Sequence, residues 1–276
     1  MKKSVMLLNA VAVIALLSAC GGKKAEVVTE EPAADYTVLE LPVVDLSTYV
    51  VDEAGWITLF DGQSFNGWRG YNREDVPGAW TIEDGAIKIQ GSGRGEAGAQ
   101  NGGDLVFAQK FGNFELELEW KVSKGANSGI FYLAQEIEGQ PIYISSPEYQ
   151  VLDNEGHPDA KLGKDGNRKS ASLYDMIPAN PQNAKPAGEW NKAKIVCFKG
   201  TVVHFQNDEQ VLEYHLWTDA WKALLQESKF KEGSTDFPLA FGLLSDCGGT
   251  EHKGFIGLQD HGDDVWFRNI KVKILD

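Results

Sequence analysis

The sequence predicts an all-β protein in which two sheets pack as a β-sandwich or jelly roll. Short runs of alternating apolar and polar residues recur from Trp56 onward, and Gly-rich turns separate them. The 276 residues include 30 Gly and 8 Trp and are 42% hydrophobic, which excludes disorder and coiled coil for most of the chain. The formal charge of −14 repels phosphate backbones, so no nucleic-acid partner is expected.

Residues 1–19 have the pattern of a lipoprotein signal peptide. Lys2 and Lys3 precede an apolar run that is shorter than the roughly 20 residues of a membrane span. Small residues precede Cys20, as in the lipobox of bacterial lipoproteins, although a plain secretory signal with an incidental Cys is the alternative. We therefore expect a lipid anchor at Cys20, a flexible tether over 20–52 and one domain over 53–276, in the periplasm or on the surface of a Gram-negative-type cell.

Two segments show the strand pattern most clearly. Residues 80–82 and 86–89 flank an Asp-Gly turn, which predicts a hairpin. Residues 114–120 alternate strictly, so that four apolar side chains face a core and three Glu face water. Further strands are predicted at 129–134, 148–152, 193–198, 201–206, 239–244, 255–258 and 265–274.

One short helix interrupts the strand pattern. Apolar residues at 221, 224 and 225 follow Thr218, which can cap a helix of about two to three turns. We expect this helix to be a connector packed on the edge of the sandwich.

The remaining cysteines, Cys197 and Cys247, leave two possibilities open. Outside the cytoplasm they could form a disulfide. The apolar run around Cys197 instead favours a buried free thiol.

Strand alternation places pairs of polar side chains on shared faces. The pairs are Glu148 with Gln150, His204 with Gln206, and Gln259 with His261. An ordinary solvated sheet face is one interpretation. A site that binds sugar hydroxyls is the other, because Gln, His and isolated Glu suit such recognition better than the Lys, Glu and Thr of common outer faces.

Six sequence blocks carry a resemblance to a known family. They are 56–68 (WITLFDGQSFNGW), 127–130 (NSGI), 148–153 (EYQVLD), 188–191 (GEWN), 228–230 (SKF), and 257–262 with 267–270 (GLQDHG, FRNI). In this order they resemble the 3-keto-disaccharide hydrolase, or 3-keto-glucoside 1,2-lyase/hydratase, family. The resemblance implies a concanavalin A-like jelly roll of two curved antiparallel sheets.

The resemblance also implies cleavage of 3-keto-glycosides, by elimination, hydration or both. A base removes the C2 proton, an enolate forms at C3, and the C1 substituent leaves. Water then adds to the resulting 2-hydroxy-3-keto-glucal, which gives net hydrolysis. Such a site needs a base, an enolate stabiliser and a proton donor for the leaving oxygen.

Strand parity and block position suggest residues for these roles. Glu148 or His204 is the candidate base, His261 the candidate acid or metal ligand, and Lys229 the candidate enolate stabiliser. A divalent cation held by Glu148 and His261 could replace Lys229 as the electrophile, and no other cofactor is predicted. Substrate-binding roles are assigned to Asn127, Gln150 and Gln259 through hydroxyls, to Arg168 from its loop, and to Trp217 by stacking.

A non-catalytic carbohydrate-binding lipoprotein is the alternative function, because a fold does not fix an activity. An enzyme requires titratable side chains that cluster in a pocket. A binding module can use exposed aromatic residues along a shallow groove.

Overall fold

The structure is a computed structural model that describes residues 36–93 and 98–276. The predicted signal peptide, Cys20 and the first part of the predicted tether lie outside the described residues. Within the described residues, no helix is both long enough and apolar enough to cross a membrane.

Strands dominate the described ranges. They are β1 (Trp56–Thr58), β2 (Trp68–Gly70), β3 (Trp80–Glu83), β4 (Ala86–Ile89), β5 (Leu105–Phe111), β6 (Phe114–Val122), β7 (Asn127–Ala134), β8 (Glu148–Leu152), β9 (Asn191–Phe198), β10 (Thr201–Gln206), β11 (Glu209–His215), β12 (Gly254–Leu258) and β13 (Val265–Ile274). The α-helices are α1 (Asp219–Gln226) and α2 (Ala240–Ser245), and short 3-10 helices span Leu46–Thr48, Ile142–Ile144, Pro158–Lys161 and Gly249–Glu251.

The strands form two antiparallel sheets that pack face to face. The eight-stranded sheet has the order β11-β10-β9-β6-β13-β4-β3, and β1 also pairs with β13. The five-stranded sheet has the order β2-β5-β12-β7-β8. Large side chains such as Trp120, Phe107 and Phe267 are fully buried in the core. The predicted concanavalin A-type jelly-roll β-sandwich is confirmed.

Strand β6 shows how the sequence determines the two faces of a sheet. Its burial alternates strictly, with Phe114 and Trp120 fully buried. The glutamates point outward and pair with neighbouring strands. Glu117 Oε2 lies 3.0 Å from Lys271 Nζ on β13, and Glu119 Oε2 lies 2.7 Å from the Arg268 guanidinium. Such surface pairs add little stability, so burial of the apolar face stabilises this strand.

Strand β8 applies the same alternation in the five-stranded sheet. Tyr149 and Val151 point into the core between the sheets. Glu148 and Gln150 therefore point to the opposite face, as the sequence predicted. This outer face is covered by loops, so that Glu148 and Gln150 are also buried.

Residues 36–52 pack along the domain, although the sequence predicted that they belong to a flexible tether. Val38 forms an antiparallel bridge with Ile137, and the Val44 N–H donates to the Ala108 carbonyl at 2.7 Å. Gln109 Nε2 donates to the Val44 carbonyl at 2.9 Å. The tether prediction is wrong for these residues, because main-chain hydrogen bonds to β5 and to the loop after β7 order a segment of low aromatic content.

The predicted helix is confirmed as α1, with the Thr218 hydroxyl accepting the Trp221 N–H at 3.1 Å. The predicted strand at 239–244 is instead mostly helix α2. A short apolar run is compatible with either structure, and here Leu243 and Leu244 are buried in the core. The Leu244 carbonyl accepts the indole N–H of Trp221 at 2.8 Å, which joins the two helices.

The thiols of Cys197 and Cys247 are both buried and free. The free thiol predicted for Cys197 is therefore confirmed. Burial raises the pKa of the Cys197 thiol to about 12, so it stays protonated and packs as a small apolar group.

Candidate active site

A pocket of about 610 Å³ opens on the outer face of the five-stranded sheet. Strands β7 and β8 contribute to its floor, and its walls come from the loop before β5, the loop after β12 and the segment after α1. Its side chains include Asp104, Asn127, Tyr143, Glu148, Gln150, Tyr174, Lys229, Phe237, Gln259, Asp260 and His261. The pocket thus brings together six of the predicted site residues, which come from four separate parts of the chain.

Glu148 is the buried carboxylate of this pocket, with only 6% of its surface exposed. Burial raises the pKa of Glu148 above its ordinary value. The positive charge of Lys229 opposes this increase, and the charges of Asp104 and Asp159 add to it. A carboxylate with a raised pKa is a stronger base than one in water, which suits the removal of a weakly acidic proton.

Lys229 presents its ammonium group to the same pocket from the segment after α1. Its main-chain N–H donates to Asp175 Oδ2 at 2.9 Å, which fixes its position. Its Nζ lies 4.4 Å from the ring centroid of Tyr174 and 5.1 Å from that of Phe230. Burial lowers the pKa of Lys229, and the Glu148 carboxylate opposes this shift. The ammonium therefore lies in a partly desolvated aromatic environment, where its field acts strongly on a nearby anion.

Amide groups line the pocket beside these charges. Asn127 Oδ1 and Gln259 Oε1 are buried and, within the described residues, make no hydrogen bond to the protein. Gln150 Oε1 accepts the Val151 N–H at 3.0 Å, which holds its side chain in place. Buried acceptors normally have partners, so the two unpaired carbonyl oxygens are suited to accept substrate hydroxyl groups.

Sequence reasoning missed Asp104, which lies immediately before β5. Its Oδ1 accepts the Asp260 N–H at 2.9 Å. Burial raises the pKa of Asp104 to about 7, the Asp260 N–H opposes this shift, and the Asp260 charge adds to it. The available signal was the Gly102-Gly103-Asp104 turn before an apolar run, but it lies outside the resemblance blocks, and 105–111 was not predicted as a strand.

His204 lies in the core between the sheets and does not line the pocket. Its Nδ1 is 3.0 Å from the Ala171 carbonyl, and its Nε2 is 2.8 Å from the Tyr132 hydroxyl. Because a carbonyl only accepts, Nδ1 carries the proton and Nε2 accepts from Tyr132. Burial lowers the pKa of His204 to about 4. The structure corrects its prediction as a base: His204 and Gln206 do share a face, but that face is the core.

Arg168 and Trp217 also lie outside the set of pocket-lining residues. Arg168 is held by Asp159 at 2.8 Å and Asp175 at 2.7 Å, so its guanidinium is already paired. The Trp217 ring stacks on His252 with centroids 3.6 Å apart. These positions correct both predictions of substrate contact, because spacing along the sequence does not indicate which side chains are already paired.

His261 lines the pocket and lies next to His157, with ring centroids 5.8 Å apart. Within the described part of the chain, His157, His261 and Asp263 have possible ligand atoms within 4.8 Å of one another, and this group does not include Glu148. The pairing of Glu148 with His261 as metal ligands therefore stays a prediction. His157 Nδ1 accepts the Asp159 N–H at 3.1 Å, so in the neutral ring Nε2 carries the proton, which opposes metal binding through Nε2.

A second depression of about 630 Å³ lies on the outer face of the eight-stranded sheet. Its charged side chains pair with one another, as in Lys192 with Asp208 at 3.0 Å and Lys271 with Glu117 at 3.0 Å. It has the solvated, ion-paired character of an ordinary outer sheet face. The pocket around Glu148 is the candidate active site, because it alone of the two combines buried titratable groups with unpaired acceptors.

Comparisons with known proteins show the family and the fold of the chain. The sequence model of the 3-keto-alpha-glucoside-1,2-lyase-like domain matches residues 55–273. A 3-keto-disaccharide hydrolase from Bacteroides thetaiotaomicron is 63% identical, over 95% of this chain and 94% of the relative. Two crystal structures of candidate glycosyl hydrolases from Parabacteroides distasonis share the fold. One has a TM-score of 0.66 at 27% identity, covering 83% of this chain and 99% of that chain. The other has a TM-score of 0.57 at 26% identity, covering 80% of this chain and 99% of that chain.

Proposed function

Because the chain belongs to the family of 3-keto-alpha-glucoside-1,2-lyase-like domains, we propose that it cleaves the glycosidic bond of 3-keto-glycosides. The observation that carries the proposal is the placement of Glu148 and Lys229 in one pocket, where each charge shifts the pKa of the other group. A buried carboxylate beside a partly desolvated ammonium supplies a base and an anion stabiliser. The name of the Bacteroides relative supports a 3-keto-disaccharide as substrate and hydrolysis as the net result.

The first step is removal of a proton from C2. The C3 ketone makes this proton acidic, because the electron pair left at C2 delocalises onto the ketone oxygen as an enolate. The Glu148 carboxylate takes the proton. The Lys229 ammonium stabilises the enolate oxygen, in the manner of donors that are already in place where charge develops.

The second step breaks the bond between C1 and the glycosidic oxygen. The enolate electron pair returns, the C3 carbonyl re-forms, a double bond forms between C1 and C2, and the leaving oxygen takes a proton from an acid. The products are the released alcohol and a 2-hydroxy-3-keto-glucal. Asn127 and Gln259 hold the sugar by accepting its hydroxyl hydrogens, which fixes the C2 proton relative to Glu148.

Hydration of the glucal is the reverse of elimination, with water in place of the alcohol. Water adds at C1 and gives up a proton, while C2 regains the proton held by Glu148. The two steps together consume one water, yield the free 3-keto sugar and return the enzyme to its starting protonation state. A single pocket can therefore perform net hydrolysis without the oxocarbenium-like transition state of ordinary glycosidases.

A purely carbohydrate-binding function is less well supported by this pocket. A binding module needs only exposed aromatic residues and hydrogen bonds. Here the aromatic rings of Tyr174 and Phe237 surround a lysine instead of forming an open platform. Buried titratable groups that shift each other's pKa are costly, and they are typical of catalytic sites.

Two further expectations remain proposals. The first is a divalent cation, which the sequence assigned to Glu148 and His261 as an electrophile in place of Lys229. His157, His261 and Asp263 are the group of possible ligands that the described residues bring together, so this group would hold such a cation at the pocket edge. Export as a lipoprotein with a lipid on Cys20 would place the domain outside the cytoplasm, attached to a membrane. The activity proposed here depends on neither.

The test uses the full-length protein and a 3-keto-glucoside with a chromogenic leaving group, beside the unoxidised glucoside, with and without EDTA. We expect release from the keto sugar alone. Release from both substrates would contradict the C2-proton mechanism, and no release together with measurable sugar binding would favour the binding function. Loss of release in EDTA, restored by a divalent metal, would add a cation to the site.

A further inference from the structure

The mechanism above requires an acid for the leaving oxygen, and Asp104 occupies a suitable position. Asp104 lines the same pocket as Glu148 and Lys229. It is close enough to Glu148 for its charge to raise the pKa of that carboxyl. The sequence had suggested His261 as the acid, so the pocket contains two rivals for the role.

The surrounding loop fixes the Asp104 carboxyl in place. Its Oδ1 accepts the main-chain N–H of Asp260 at 2.9 Å. The Asp260 carboxylate in turn accepts the N–H groups of Gly103 at 2.8 Å, Ala99 at 3.0 Å and Gly262 at 3.0 Å. Asp260 thus ties the loop before β5 to the loop after β12, and this tie fixes the position of Asp104 relative to the two loops.

The charges around the two carboxyls differ in sign. Glu148 has the Lys229 ammonium as a neighbour, which favours its ionised form. Within the described residues no cation acts on Asp104: burial and the weaker effect of the Asp260 carboxylate favour its protonated form, whereas the Asp260 N–H favours its ionised form. Burial raises the pKa of both carboxyls, so one proton can be held between them. The position of the Lys229 ammonium beside Glu148 is what assigns the ionised, base role to Glu148 and leaves the acid role to Asp104.

We propose that Asp104 is the general acid that protonates the leaving oxygen in the second step, after Glu148 has removed the C2 proton in the first. This inference rests on the proposed function. The O–H bond of Asp104 breaks as the bond between C1 and the glycosidic oxygen breaks, and the departing oxygen gains that proton. Asp104 is then an anion and Glu148 a neutral acid. In the hydration step Asp104 takes a proton from the attacking water and Glu148 returns its proton to C2, so both are restored.

The experiment measures kcat/KM on a series of aryl 3-keto-glucosides whose leaving phenols differ in pKa. A good leaving group needs no acid, so Asp104→Asn should lose roughly 10²- to 10⁴-fold on the poorest leaving group and less than about tenfold on the best. Glu148→Gln should lose the same factor on every member, because proton removal from C2 does not depend on the leaving group. Asp104→Glu keeps an acid, so its kcat/KM should depend on the pKa of the leaving phenol much as that of the wild type does.

His261→Asn is the matched test of the rival acid, and its loss should not depend on the leaving group. The proposal is overturned if Asp104→Asn loses the same factor on all substrates, or less than about threefold on the poorest, or if His261→Asn shows the leaving-group dependence instead. Should Asp104→Asn fail to fold, a leaving-group dependence in Asp104→Glu as steep as that expected for the Asn variant would equally overturn it. If the wild type releases none of the phenols, the proposed function itself fails, which separates the two results.

Discussion

The carboxylate of Glu148 lies directly over the backbone of Gly129 on the neighbouring strand. A Cβ atom added to Gly129 would lie 2.8 Å from Cδ and 2.9 Å from Cγ of Glu148, closer than real Cβ atoms approach other atoms. The backbone conformation of Gly129 is not left-handed, so glycine is needed here for space alone. The glycine of the Asn-Ser-Gly-Ile block therefore leaves the space that the carboxylate of the proposed base occupies.

Gly129→Ala should reduce kcat by roughly 10²-fold, because the added methyl displaces the Glu148 carboxylate by about an ångström. Because the carboxylate can move aside for this single methyl group, the melting temperature should fall only slightly. Gly242→Ala is the matched control, since nothing lies within 4 Å of a Cβ added there. Steady-state kinetics and thermal melting check both variants. Equal activity in the two variants would show that the exact position of Glu148 is unimportant.

Lys229→Met removes the ammonium and keeps an apolar side chain of similar length. We expect a loss of about 10²- to 10³-fold in kcat, the range for removal of one anion stabiliser. Because the charge of Lys229 holds down the pKa of Glu148, the acidic limb of the profile of kcat/KM against pH should also move to higher pH. Lys231→Met, at an exposed position nearby, should leave both quantities unchanged. A Lys229→Met profile that keeps its acidic limb would argue against contact between the two charges.

Cys20→Ala should remove the proposed lipid and move the protein from the membrane fraction to the soluble fraction of the cell envelope. The lipid thioether requires the Cys20 sulfur, and a lipid with two or more acyl chains would supply the apolar area that holds the domain stably on a bilayer. Cell fractionation and incorporation of labelled fatty acid measure the outcome. Cys197→Ala is the control, because the thiol of Cys197 is buried in the sandwich. Label retained in Cys20→Ala would mean that the lipid is attached at another residue.

His204→Asn and His204→Gln separate a structural role from a catalytic one. Asn can keep a donor near the Nδ1 position for the Ala171 carbonyl, whereas Gln can keep an acceptor near the Nε2 position for Tyr132. Each should cost about 1–3 kcal/mol of stability, because one buried partner is left unpaired. Neither should shift the profile of kcat/KM against pH. A loss of the acidic limb in both variants would restore His204 as the base.

The comparison of His204 with Glu148 shows what strand parity can and cannot predict. Alternation correctly placed each residue on the same face as its polar partner two positions away. In β10 both faces carry apolar side chains, so the sequence did not indicate which face meets the other sheet. Packing decides this: Val202, His204 and Gln206 lie inward, and Phe205 lines the outer depression.

Asp104 was missed for a different reason. Its place in the pocket depends on a hydrogen bond to Asp260, which is 156 residues away in the chain. Patterns within one strand carry no information about such contacts between loops. The positions of most strands, their core-facing side chains and the Glu148 face were predictable because each follows from local alternation, whereas the strand order and the loop contacts that complete the pocket do not.

Asp104→Asn should alter stability in a way that depends on pH. The pKa of Asp104 in the folded protein is about 7, above its ordinary value of 3.8, so the folded state holds this proton more tightly than the unfolded chain does. The stabilisation from this proton is therefore complete below about pH 4 and is lost as the pH rises towards 7. Asn cannot ionise, and its oxygen can still accept the Asp260 N–H. The melting temperature of Asp104→Asn should thus match that of the wild type near pH 4 and exceed it near pH 8. Asp236→Asn, at an exposed carboxyl, should show no such trend. A difference for Asp104→Asn that stays constant across this range would mean that Asp104 is ionised at neutral pH, which would remove the electrostatic reason for assigning it as the acid.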